Sequence, residues 1–176
     1  MPKCAICRSE YKKWSISQKV CGSVECAKAF AEKERAKKER KEYRARKEKL
    51  KSRSGWLADA QTAVNAYIRA RDEGKPCISC GRHHSGQNHA GHYRSVGAAS
   101  HLRFDEENIH LQCQPCNVHK SGNAIEYRIH LIERIGSAAV ARLERDNQVK
   151  KWTIEEAKEI RDLYRAKLKG LKNGNG

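Results

Sequence analysis

Eight cysteines stand in four close pairs along the 176-residue chain: Cys4 with Cys7, Cys21 with Cys26, Cys77 with Cys80, and Cys113 with Cys116. Each pair can present two thiolates to one ion, and two pairs complete a tetrahedral site. The spacing therefore predicts two structural zinc ions, one held by the first four cysteines and one by the last four. The start, MPKCAICRSEYKKW, has no apolar secretory segment. Reduced thiols and a cytoplasmic setting are expected, and the cysteines are read as metal ligands rather than disulfides. Directly after the last pair, LQCQPCNVHKSGN places Asn117, His119, Lys120 and Ser121, groups suited to a second metal or a phosphate.

The elements that must carry these groups are legible in outline. Residues 1–27 read as a zinc finger whose thirteen-residue loop offers Tyr11, Trp14, Ile16 and Val20 for a miniature core that could not stand without metal. Residues 28–54 read as a basic helical arm, rich in Glu, Lys, Arg and Ala. Residues 28–53 alone hold thirteen Lys or Arg against five Glu, half of the chain's net charge. Ala29, Ala36, Tyr43 and Leu50 recur every seven residues, but charged residues occupy the partner positions, so the stripe is too narrow for a standard coiled coil.

Residues 55–176 are predicted as one α+β domain. An amphipathic helix buries Trp56, Leu57, Ala60, Val64, Tyr67 and Ile68 and ends near Gly74 and Pro76. Strands follow near 87–93 and 109–112, between the two cysteine knuckles. A helix then places Ile125, Ile129, Leu131 and Ile132 at helical spacing, with Asn123 and Glu126 resembling a capping box. The last helix has Thr153 and Glu156 as a clearer box, Trp152 stapled on Ala157, and a buried stripe of Ile154, Ile160, Leu163, Tyr164, Leu168 and Leu171.

Composition narrows the partners. A hydrophobic fraction of 38%, two Phe and a mean hydropathy of −0.89 leave little apolar material, so small metal-braced units are expected rather than one extensive core. A formal charge of +16 and a pI near 9.7 point to a nucleic-acid backbone, whose condensed counterions clustered Lys and Arg displace. Membrane insertion is disfavoured, because no run approaches the roughly 18 apolar residues of a spanning helix. No stretch predicts base-edge readout, so recognition of DNA shape is favoured over sequence.

Between CISC and CQPC, the segments NHAGHYRS and ENIHLQC place His, then Asn, then a metal-braced turn with its own Asn. Over residues 77–121 this resembles the HNH, or ββα-metal, nuclease fold, particularly the zinc-braced kind of phage endonuclease VII. The whole order, with SGWLADAQTAVNAYIRARDEGKPCISCG and LRFDEENIHLQCQPCNVHKSGN, resembles the NinG (Rap) recombination family of lambdoid phages. The fold class expected is thus α+β and mostly helical, with an HNH-like core, an N-terminal four-cysteine finger and a long basic helix.

The resemblance implies a structure-specific DNA endonuclease that cuts Holliday junctions, D-loops and other branched recombination intermediates by metal-dependent phosphodiester hydrolysis in the bacterial host cytoplasm. It implies His92 as general base, Asn108 as the Asn that ties the hairpin together, and Asn117 as an oxygen ligand of one catalytic Mg or Mn. A zinc turn one residue earlier would hold Asn117 still enough for that task. The family's usual metal ligand directly before the base is replaced by Gly91. His89 is the nearest substitute, but residues 89 and 92 of a regular strand point to opposite faces, so a bulge at Ala90 and Gly91 would be required. His119 is a further ligand candidate if the next helix starts only after Ser121. Lys120, Arg94, Lys37, Lys38, Arg40 and Lys41 are the expected phosphate contacts. Symmetric cutting of a four-way junction would call for a homodimer. A non-catalytic zinc-stabilised DNA-binding module is the alternative; it leaves His92 and Asn117 without a role.

Overall fold

Ser23 has an extended backbone and its hydroxyl accepts from the Cys26 amide, so the last cysteine of the first quartet lies inside the opening turn of a helix. That helix, α1 (Val24–Lys49), buries only Cys26. The computed structural model describes residues 1–145 and 147–174. It forms two units, Met1–Lys51 and Ser52–Gly176, each α-helical or mixed α+β. No helix of the described residues is long and apolar enough to cross a membrane.

In the first unit Cys4, Tyr11 and Cys26 are buried, with Ile6, Val20 and Cys21 packed on them. The expected miniature core is corrected at two positions: Trp14 is 92% and Ile16 99% exposed. The cause is local. The Gln18 amide accepts from the Trp14 N–H at 2.8 Å and donates to the Val20 carbonyl at 2.9 Å, and the Tyr11 hydroxyl donates to the Gln18 carbonyl at 2.8 Å. The loop closes on polar groups and turns its apolar tip outward.

The second unit begins with α2 (Arg53–Arg71), capped by the Ser52 hydroxyl accepting from the Gly55 amide. Strand β1 (Asn88–His92) pairs antiparallel with β2 (Ile109–Cys113), and α3 (Ala124–Ile135), α4 (Ser137–Arg145) and α5 (Ile154–Gly174) follow. Thr153 and Glu156 make the reciprocal capping bonds at the start of α5, at 2.8 and 3.1 Å. Trp56, Leu57, Ala60, Val64 and Ile68 of α2 pack with Ala157 and Tyr164 of α5 and with Ala90, Phe104 and Ile109. A second core joins Ile78, Ala99 and Leu102 to Tyr127 and Leu131 of α3 and Val140 and Leu143 of α4.

Three helix expectations are corrected. Asn123 has φ +49° and makes no side-chain cap bond, because Ser121, Gly122 and Asn123 form a left-handed run that reverses the chain into α3; a capping box needs an extended cap residue. Ile125 and Ile129 are exposed, since each lies about 160° round the helix from Tyr127, the residue that enters the core. Leu163 is exposed for the same reason, about 120° from Ala157. The short helix α4 has no counterpart in the sequence reading; Gly136, at φ +86°, ends α3 just before it.

The two strands pair one for one, Asn88 opposite Cys113 through His92 opposite Ile109. Side chains 88, 90 and 92 therefore share one face, and 89 and 91 the other. Ala90 and Ile109 enter the α2–α5 core. On the opposite face the His110 and Tyr127 rings lie 6.3 Å apart, and the Tyr127 hydroxyl donates to the Gly91 carbonyl at 3.0 Å.

Asp72, fully buried just after α2, pins that helix to the sheet. It accepts from Arg71 Nη2 and Nε at 2.7 and 3.0 Å, from Lys75 Nζ at 3.0 Å and from the Leu111 amide at 3.1 Å. Burial alone would raise its pKa, but His110, Arg71 and Lys75 around it hold the carboxyl well below the ordinary carboxylate range. A depressed folded pKa adds stability that is complete above the unfolded value, about 3.9, and is lost only as pH falls below it. Asp72→Asn is expected to lower unfolding stability by about 3–5 kcal/mol, by the same amount at pH 8 and pH 5. A denaturant titration showing a gap that closes between those pH values would contradict this assignment.

Candidate catalytic site and metal centres

In each cysteine quartet the four sulfurs lie within 4.8 Å of one another. A tetrahedral ion with metal–sulfur bonds of about 2.3 Å requires sulfur separations of about 3.8 Å, and Cys7 Sγ to Cys21 Sγ is 3.9 Å. The same turn recurs in both: Arg8 N–H donates to the Cys4 carbonyl at 3.0 Å and Gly81 N–H to the Cys77 carbonyl at 2.9 Å, with φ of +63° and +65°. The Cys21 amide donates to Cys4 Sγ and the Cys113 amide to Cys77 Sγ, both at 3.4 Å. Burial opposes ionisation of Cys4, but the Cys21, Ile6 and Cys7 amides outweigh it and bring the thiol down to about 6; Cys77 is lowered by the same kind of balance. Both quartets can hold a structural metal ion, consistent with zinc.

His92 ends β1, half-buried. Its Nε2 lies 3.0 Å from the Arg103 carbonyl oxygen. A carbonyl only accepts, so the ring proton sits on Nε2 and Nδ1 keeps its lone pair. Burial lowers the His92 pKa below the ordinary imidazole value, the Arg103 carbonyl raises it and the Arg103 charge lowers it again. The loop that supplies this carbonyl is locked by Asn108, which is fully buried. Its amide accepts from the Arg94 N–H at 2.9 Å and donates to the Arg94 and Leu102 carbonyls at 3.0 and 3.1 Å. The side chain of one Asn thus fixes the residue adjacent to the His92 acceptor.

Arg103 itself was not singled out by the sequence. Burial and the nearby Arg53 lower its pKa, its guanidinium lies 5.4 Å from the Phe104 ring centroid, and its buried Nε has no hydrogen-bond partner among the described residues. Arg94 shows the opposite case. Its guanidinium donates to the Leu143 and Glu144 carbonyls at 2.9 and 3.3 Å and to Asn147 Oδ1 at 2.9 Å, so it caps the end of α4 rather than offering itself to a phosphate. Lys37, Lys38, Arg40 and Lys41 are exposed on one flank of α1 with Arg44 and Glu34. Lys120 is exposed beside the second cysteine quartet.

Asn117 lies not at the start of α3 but in a separate π-type turn, Pro115–His119. Its Nδ2 is 2.9 Å from His89 Nδ1; with the amide donating, Oδ1 is the atom left for a cation. The His119 side chain is exposed and makes no hydrogen bond among the described residues. The one-for-one register leaves no bulge, so the condition for His89 and His92 to share a face is not met. Apart from the two quartets, no three His, Cys, Asp or Glu ligands converge among the described residues.

Gly91 has a packing cause. A Cβ there would lie 2.0 Å from Gln112 Oε1. The fully buried Gln112 side chain crosses Gly91 and donates to Ser79 Oγ and the Gly122 carbonyl, at 2.6 Å each. It thereby joins the strand pair to Ser79 in the Cys77–Cys80 knuckle and to the turn at Gly122 that precedes α3. Gly91→Ala is expected to lower stability by about 1–3 kcal/mol through overpacking, read by denaturant unfolding; an unchanged midpoint would show that Gln112 can swing aside freely.

The profile of the family described as "Bacteriophage Lambda NinG protein" matches residues 1–174. A protein of Salmonella phage P22 named "Protein ninG" is 57% identical over 128 residues, covering 73% of this chain and 63% of that relative. A namesake of Escherichia phage lambda is 56% identical over 128 residues, with 73% and 63% covered. These matches span less than two thirds of the relatives' own length. The namesake of Enterobacteria phage H19B is 51% identical over 188 residues, covering 97% of this chain and 94% of that relative. No solved structure matches the chain. The chain belongs to the bacteriophage lambda NinG family.

Proposed function

We propose that the protein is a DNA endonuclease with an HNH-like core that nicks branched recombination intermediates such as Holliday junctions and D-loops. The observation that carries this reading is the His92 ring, with Nε2 committed to the Arg103 carbonyl and Nδ1 left to accept a proton. Burial favours the neutral ring, the form a general base needs. Nδ1 takes a proton from water as the water oxygen bonds to phosphorus, the P–O3′ bond breaks and the 3′-oxygen leaves with a proton from solvent, while Arg103 stabilises charge on the non-bridging oxygens. Asn117, with its amide oriented by His89, would hold a divalent cation through Oδ1, and that ion would supply charge neutralisation to the phosphate. The lysines and arginines of α1 contact phosphates without reading sequence. The preference for branched DNA rests on family resemblance, and paired cuts across a junction would use two copies of the chain.

A second reading, a zinc-stabilised DNA-binding protein without catalysis, is favoured by one observation: His89 and His92 occupy opposite faces of β1. Labelled four-way, flap, D-loop and linear DNA, incubated with Mg or Mn, separate the two. Metal-dependent cuts confined to branched DNA are expected; tight binding without cleavage under either metal would leave the second reading.

A further inference from the structure

Trp14 and Ile16 stand at the tip of the loop between the first two cysteine pairs, almost fully exposed. The tip is held in shape by the Gln18 bridge from the Trp14 amide to the Val20 carbonyl, and by the Gln18 N–H donating to the Ser15 carbonyl at 3.2 Å. Exposing an indole forgoes one of the largest burial gains a side chain offers. A rigid loop that does so presents the ring to something.

The surroundings identify the partner. Lys12, Lys13, Ser15, Ser17 and Lys19 are exposed around the tip, and residues 1–51 hold seventeen Lys or Arg against seven Glu, a formal +10 of the chain's +16. Protein hot spots sit inside a ring of contacts that excludes water; ammonium and hydroxyl groups ring this one. A π face set among cations is the arrangement that grips nucleic acid with exposed bases, stacking on the base while the cations hold its phosphates. In intact duplex the bases are already stacked, and opening a step costs energy.

We propose that the Trp14–Ile16 tip is a binding site for unpaired bases, with Trp14 stacking on a base and Lys12 and Lys13 contacting the flanking phosphates. This rests on the DNA-binding part of the function proposed above, not on cleavage.

The test uses the full-length zinc-loaded protein without added divalent cation. Tryptophan emission is titrated with oligothymidylate and with blunt duplex, and Trp14→Phe removes the signal of this ring from that of Trp56 and Trp152. Quenching by oligothymidylate that vanishes in Trp14→Phe is expected. Trp14→Ala should bind oligothymidylate about 5- to 150-fold more weakly, with blunt-duplex affinity and zinc content unchanged. Equal affinity of Trp14→Ala and wild type for oligothymidylate, an equal loss on blunt duplex, or quenching by anionic lipid vesicles but not by oligothymidylate would each overturn the proposal. Normal quenching by a protein that never nicks DNA would sink the nuclease reading alone.

Discussion

His92→Ala is expected to reduce the proposed nicking of branched DNA by about 10²- to 10⁴-fold, the range typical for loss of a positioned general base. DNA affinity and zinc content should stay at wild-type values, because the ring touches neither cysteine quartet and its bond to the Arg103 carbonyl is a single contact. The pH profile adds a second readout. Burial depresses the His92 pKa, so the ring stays neutral, and the rate stays high, below the ordinary imidazole value of about 6.5. A wild-type rate that falls with a midpoint above 6.5, or cleavage retained by His92→Ala, would remove His92 from the role of base.

Cys113→Ser is expected to have the largest structural effect. Cys113 is both the last residue of β2 and a member of the second quartet, with its amide donating to Cys77 Sγ. A structural zinc contributes about 10–16 kcal/mol of apparent binding energy, as much as the whole stability of an ordinary domain, about 5–15 kcal/mol. The variant should bind half as much zinc, keep the first quartet filled and lose protease resistance across residues 75–123. Cleavage should disappear with it, since Asn117 and the Gln112 bridge to Gly122 depend on the same turn. A protease-resistant, active variant carrying half the zinc would show that the metal is dispensable for the fold.

What was legible in the sequence is what short-range chemistry sets. Cys4 with Cys7 and Cys77 with Cys80 converge because each pair lies in a five-residue turn, and the Thr153–Glu156 box works because both partners lie within one helical turn. The two strands, of five residues each, fall within or next to the segments read as extended between the cysteine knuckles. What was not legible depends on distant partners. Arg94 and Arg103 look alike in sequence, yet one is consumed by the end of α4 and the other has a buried, unpartnered Nε. Gly91 reads as a missing ligand until Gln112, its diagonal neighbour across the strand pair, is seen to fill the space. Asn123 carries a capping residue's identity but a left-handed backbone dictated by the turn before it. Trp14 and Ile16 have core-type side chains, and only the Gln18 bridge shows why they face out.

The placement of Cys26 within the first turn of α1 makes the helix a rod fixed at one end to the first cysteine quartet. Its 26 residues extend about 39 Å at 1.5 Å per residue. One end of the rod is clamped by the finger's own metal ligand, so its first turn cannot fray without opening the quartet.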